Sequence, residues 1–169
     1  MRHRLTSRAL STLIPFCFAA LYMIMPCPAW AWRGRVVDVA AGETMTVLKN
    51  GKSVEVLLYG IDCPEEGQPF SKQAIEFTSK MVLGKMVEVH RMDTDRHGRN
   101  VALVSVDKSL LNEELVKAGL AWVYNRYCHE VICETWKHYQ LRAKIDKRGF
   151  WSEPRPISPW NFRRQKKRG

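Results

Sequence analysis

Three short segments concentrate the side chains that could do chemistry. They are Gly42-Glu43-Thr44, Tyr59-Gly60-Ile61-Asp62-Cys63-Pro64-Glu65 and Asp93-Thr94-Asp95-Arg96-His97-Gly98-Arg99. Carboxylates at 43, 62 and 65 could form a hard-cation site with oxygen ligands, together with a base. Arg99 offers a fixed positive charge with a planar donor fork, which suits a phosphate. Each segment alone also has a plainer explanation, with Asp62 and Pro64 as turn residues and Asp95 and Gly98 as a hairpin tip.

Positioning three such loops requires a scaffold, and residues 33–106 read as short strands broken by one helix. Strands are expected at 35–39, 44–49, 53–59, 86–92 and 101–106, with Asn50-Gly51 as a two-residue hairpin turn. In the third, Val54, Val56 and Leu58 share one face, and Glu55, Leu57 and Tyr59 the other. Phe70, Ala74, Phe77 and Met81 recur at helical spacing up to Gly84. A second helix is expected after Ser109 as N-cap, with Leu111, Leu115 and Ala118 as its apolar stripe and Gly119 beyond its end. A third spans 134–147, with Trp136, Tyr139 and Ala143 on one side. Pro154, Pro156 and Pro159 suggest an extended tail, with Trp151, Trp160 and Phe162 as the residues that pack back. Five strands and about three helices point to a β-rich α+β chain built on an OB-type barrel.

The chain has 169 residues and a net charge of +10. Residues 1–31 hold three arginines, no acid, an apolar run from Leu10 to Met25 and an Ala-Trp-Ala end. This pattern fits a secretory signal peptide cleaved near Ala31, and so an exported, periplasmic or secreted protein; an uncleaved anchor is the other reading. No second apolar run exists, which excludes a multi-span membrane protein. A domain at 32–153 and a basic tail at 154–169 would follow. The tail holds six basic residues and no acid, which leaves only +1 for residues 32–153. Such a tail attracts polyanions without selecting among nucleic acid, anionic lipid and acidic polysaccharide. Cys128 and Cys133 have a spacing that a small disulfide loop can close, as expected after export. Zinc, with His129 and His138, is the alternative. Cys63 is left unpaired.

Taken together, Gly-Ile-Asp-Cys-Pro-Glu (60–65), Asp-x-x-Gly-Arg (95–99), Leu-Asn-Glu-Glu-Leu-Val-x-x-Gly-Leu-Ala (111–121) and Lys-Arg-Gly-x-Trp (147–151) resemble the staphylococcal nuclease (thermonuclease) family from about residue 36 to 151. The ending Pro-Ile-Ser-Pro-Trp-Asn-Phe-Arg-Arg, with the Cys128 and Cys133 pair, is similar to exported bacterial members. The resemblance implies a five-stranded OB-fold barrel and a calcium-dependent phosphodiesterase acting on DNA and RNA that leaves a 3′-phosphate. It implies calcium held by the carboxylates of Asp62 and Glu43 and the backbone carbonyl of Cys63, whose side chain is then free to vary. Glu65 becomes the general base and Arg99 the phosphate ligand. His97, Arg96, Tyr124 and Tyr127 become nucleic-acid contacts, with single strands preferred. A monomer without stable membrane association once processed is expected.

Two positions depart from the family pattern. Glu43 stands where the family has Asp, which moves the carboxylate by about 1 Å, a displacement that can cost on the order of 10²-fold in rate. Leu57 stands where the family has a phosphate-gripping arginine, and losing one preorganised donor costs roughly 10²–10³. Lys52 is the only base in residues 52–61, which leaves Arg91 or Arg96 to reach in. A catalytically inactive nucleic-acid-binding protein on the same barrel is therefore the alternative function. An anchored protein whose tail contacts the envelope surface is a third.

Overall fold

The computed structural model describes residues 31–168. The expected leader falls outside the described residues except for Ala31, which opens the first strand. Five strands close a barrel. β1 (Ala31–Ala41) pairs antiparallel with β2 (Thr44–Lys49) and β5 (Met86–Thr94), β2 with β3 (Lys52–Leu58), and β5 with β6 (Asn100–Val106). A parallel pairing of β3 with β6, at Val56↔Asn100, Leu57↔Val101 and Leu58↔Ala102, completes the ring. Closure of this kind leaves the barrel without a free sheet edge. The β2–β3 turn has positive φ at both Asn50 (49°) and Gly51 (78°), which matches the twist of the flanking strands.

Alternation decides which side chains fill the barrel. Val56 and Leu58 of β3, Val87 and Val89 of β5, and Ala102, Val104 and Val106 of β6 are buried, with Val36, Met45 and Val47 facing them. Glu55, Glu88 and His90 point outward. Where β3 leaves the barrel, the fully buried Asn112 donates to the carbonyls of Tyr59 (3.0 Å) and Ala102 (3.3 Å) and accepts from the Val104 amide (3.1 Å).

The helices cover the barrel. α1 (Ser71–Val82) buries Ser71, Ala74, Thr78 and Val82 rather than the expected Phe70-Ala74-Phe77-Met81 stripe. The reason is local: Thr78 donates to the Gly42 carbonyl at 2.6 Å, turning a row of small side chains toward the barrel and leaving Phe77 and Met81 only partly buried at the flank. Ser109 is not an N-cap, because Ser109–Leu110 forms β7 against β6 and α2 (Leu111–Lys117) begins after it. α2 ends as expected at Gly119, with Gly119 N–H donating to Val116 O and Leu120 N–H to Leu115 O, a Schellman closure. α3 (Ile132–Ile145) buries Trp136 and Ala143, and a 3-10 turn follows at Gly149–Ser152. A two-stranded ribbon, β4 (Ile61–Asp62) with β8 (Trp122–Val123), sits beside the barrel mouth.

The chain after Pro154 is not extended throughout. Pro159–Lys166 forms α4, with Ser158 as N-cap and proline in the first turn. A proline there has no amide to lose and a preset φ, so it starts this helix where it would break one further in. Among the described residues no helix is long and apolar enough to cross a membrane.

Candidate active site

The three chemical segments lie on loops that the barrel delivers. Gly42 and Glu43 form the tight connection between β1 and β2, held from one side by Thr78 and from the other by the Leu58 amide, which donates to Glu43 O at 2.8 Å. The close approach of this loop to β4 requires glycine at 42. A β-carbon there would lie 2.8 Å from both Cys63 Sγ and Ala74 Cβ.

Asp62 ends β4 and Cys63 follows it, and Glu65 opens the next turn, where its amide donates to Gln68 Oε1 at 2.8 Å. Asp62 and Cys63 are buried and Glu65 is half-buried. These three and Glu43 form one electrostatic cluster. Burial first, then repulsion from Asp62, pushes the Glu43 carboxyl up to about 7. Asp62 is also raised by burial, against the pull of a guanidinium described below. Glu43 Oε2 is sealed from solvent with no hydrogen-bond partner. An oxygen in that state, beside two further carboxylates, describes a place short of positive charge.

The Cys63 side chain is enclosed. It is fully buried as a free thiol, packed beside Gly42 and against the Glu43 carboxylate, and burial together with Glu43 pushes the thiol well up.

The third segment is both of the things the sequence suggested. Gly98 N–H donates to Asp95 O, and the Asp95 carboxylate accepts from the His97 and Arg99 amides, so Asp95 builds the turn. The same carboxylate holds the Arg99 side chain through Nε at 2.8 Å, while Glu55 on β3 stands 3.7 Å from Arg99 Nη1. Burial opposes its charge, but these donors keep the Asp95 carboxyl below its ordinary range. Arg99 is thus fixed on the outer face of β3, the face that also carries Leu57. Leu57 pairs with Thr44 next to Glu43, so the position lacking an arginine borders the carboxylate cluster. Arg96 is exposed and donates to the neighbouring His97, and Arg91 lies on β5 opposite Ala102.

The missing cation comes from a residue that sequence reasoning grouped with the tail. Arg163 on α4 donates from Nη1 to Asp62 Oδ1 (3.0 Å), from Nη2 to Asp62 Oδ2 (2.7 Å), and from Nη1 to Glu65 Oε1. The docking of α4 makes this possible. Trp160 stacks on Tyr124 at 4.6 Å with rings 7° apart and meets Trp122 edge-on at 5.6 Å. Gln68, whose Oε1 caps the Glu65 turn, also donates to the Ile157 carbonyl. The available signal was the Pro-Trp pair at 159–160, a helix start with an aromatic anchor.

Of the expected nucleic-acid contacts, Tyr124 has one ring face covered by Trp160, and Tyr127 stands exposed, edge-on to Tyr124 at 4.9 Å. Cys128 and Cys133 form the disulfide. It packs on Gly60, where φ is +71° and a β-carbon would lie 2.6 Å from Cys128 Sγ. Among the described residues no three His, Cys, Asp or Glu side chains stand arranged as a ready-made metal site. Asp62 and Glu65 are turned instead onto Arg163. The donor set still fits a hard cation, because Glu43 Oε2 is orphaned and every charged group in the cluster other than Arg163 is a carboxylate.

The chain is similar to proteins named as nucleases. A family profile described as "Staphylococcal nuclease homologue" matches residues 55–153. A protein named micrococcal nuclease from Shigella flexneri is 32% identical over 159 residues, covering 88% of this chain and 91% of its own length. An uncharacterized endonuclease of Haemophilus influenzae is 38% identical over 134 residues, covering 79% and 74%. One from Escherichia coli is 36% identical over 134 residues, covering 79% and 86%.

Proposed function

The chain belongs to the staphylococcal nuclease family, and from that premise we propose that it is a calcium-dependent nuclease hydrolysing phosphodiester bonds of DNA and RNA at the barrel mouth. The observation that carries the reading is the cluster of Glu43, Asp62 and Glu65 with an unpartnered, sealed oxygen on Glu43. Asp62, Glu43 and the Cys63 carbonyl would hold the calcium ion. When bound, it supplies Lewis-acid polarisation of a phosphoryl oxygen.

The protein's own groups do the rest. Glu65 sits at the less buried rim of the cluster and accepts the proton of the attacking water. Arg99, preset by Asp95 and Glu55, presents its guanidinium to the phosphate where negative charge grows. Exposed Tyr127 gives a stacking surface for a base, which supports a preference for single strands. The Cys128–Cys133 disulfide supports an oxidising compartment and so the exported reading.

One observation favours a second reading. Arg163 engages both Asp62 and Glu65, and β3 carries Leu57, as in a barrel that binds nucleic acid without cutting it. Assay of the purified full chain on single-stranded DNA, with calcium or with chelator, separates the two. Chelator-sensitive cleavage that disappears in Glu65→Gln supports the nuclease; salt-sensitive binding with no cleavage in either condition supports the binding protein.

A further inference from the structure

We propose that Arg163 is the phosphate-binding guanidinium that β3 lacks, delivered by α4 to the carboxylates of Asp62 and Glu65. The inference rests on the nuclease reading above and assigns a substrate contact within it.

Reach is the first ground. A phosphate being hydrolysed here must touch both the cation held by Asp62 and the water held by Glu65. A guanidinium that already hydrogen-bonds both carboxylates lies within one hydrogen-bond length of that phosphate. Donor capacity is the second. Arginine has five N–H donors, and the bonds described use three. Asp62 is the partner most directly claimed by calcium. When calcium takes it, Arg163 exchanges a carboxylate for a phosphate, which presents the same two-oxygen edge to the fork.

The third ground is the anchoring. Trp160 against Tyr124 and Trp122, and Gln68 bonded to the Ile157 carbonyl, hold α4 independently of Arg163. The guanidinium is therefore not needed to fix the helix, and with its side chain 39% exposed it has room to turn toward a ligand. The last ground is the position of Leu57. It borders the same cluster with no charge, so β3 supplies no second guanidinium to act beside Arg99.

The role has two consequences of opposite sign. Arg163 competes with calcium in the absence of substrate and assists the reaction in its presence. The test uses the full chain and its Arg163→Ala and Arg163→Lys variants. Calcium alone is titrated calorimetrically, and kcat and KM are measured on a single-stranded oligonucleotide at saturating calcium. We expect Arg163→Ala to bind calcium at least about fivefold more tightly, yet to lose roughly 10²–10³ in kcat. Arg163→Lys should fall between, since an ammonium keeps the charge without the fork. Added guanidinium ion at millimolar concentration should restore part of the kcat of Arg163→Ala, which a purely structural role would not allow. A kcat of Arg163→Ala equal to or above that of the natural protein overturns the proposal, the latter outcome making Arg163 a plug. Should Arg163→Ala fail to fold, a kcat of Arg163→Lys matching the natural protein overturns it instead. If the natural protein itself shows no chelator-sensitive cleavage, the nuclease reading has failed separately. Oligonucleotide affinity of Arg163→Ala then decides: an unchanged value overturns the phosphate contact, and a tenfold loss sustains it.

Discussion

Asn112 and Glu43 are both polar side chains closed in beside the end of β3, and they have opposite relations to the fold. Asn112 spends its amide on three backbone groups, the Val104 N–H and the Tyr59 and Ala102 carbonyls, where β3 departs and α2 begins. Glu43, two residues after β1, keeps one oxygen with no partner and two carboxylate neighbours that repel it. The first arrangement is complete without any ligand. The second leaves a repulsion and an unpaired oxygen that a proton on Glu43 or a nearby cation relieves. Burial of a polar group therefore has to be judged by what remains unsatisfied afterwards. By that measure the carboxylate cluster is the working part of this molecule and Asn112 part of its frame.

The largest effect should come from breaking the working part while sparing the frame. Glu65→Gln keeps the shape and removes the base, so cleavage should fall by about 10²–10⁴, with an unchanged urea midpoint. Breaking the frame should do the reverse. Asn112→Leu orphans the Val104 amide and the Tyr59 carbonyl, and should lower stability by about 3 kcal/mol in urea unfolding.

A third experiment sharpens the contrast through pH. Glu43 is held protonated in the fold up to about 7, well above its ordinary 4.5. The fold therefore gains from this group below pH 4.5 and loses that gain as pH rises through 7. In chelator, the natural protein should lose about 3 kcal/mol relative to Glu43→Gln across that interval. Calcium should remove most of the difference, because a bound cation favours the ionised carboxylate. The smallest effect concerns the surface. Tyr127→Ala should weaken single-strand binding by about fivefold, the loss of one stacked base, read by fluorescence anisotropy.

What the sequence made legible divides along the same line. The barrel strands follow from alternation, and the Asn50-Gly51 turn and the Gly119 helix end follow from local backbone chemistry. These are short-range signals. Glu43, Asp62 and Glu65 could be grouped because their loops match a family pattern, and the structure brings them together. Arg163 escaped because its partners lie 98 and 101 positions away. In composition it was one of six charges in a basic tail. The face of α1 was read in part: Ala74 is buried and Phe70, Phe77 and Met81 pack against the core, but the most buried row runs through Thr78. A bond from Thr78 to the Gly42 carbonyl outweighs the apolar periodicity that favoured Phe77 and Met81. The packing of Cys63 also depends on a neighbour, Gly42, that is remote in sequence.

The brevity of α4 sets a clock on the site. Eight residues do not hold a helix in water by themselves, so α4 is helical only while Trp160 stays on Tyr124 and Trp122. Undocking and unwinding are then a single event, and each such event also withdraws Arg163 from Asp62 and Glu65. Exchange of the amide hydrogens of α4 should accordingly run ahead of exchange in the barrel, and its rate measures how often the carboxylates stand open to solvent.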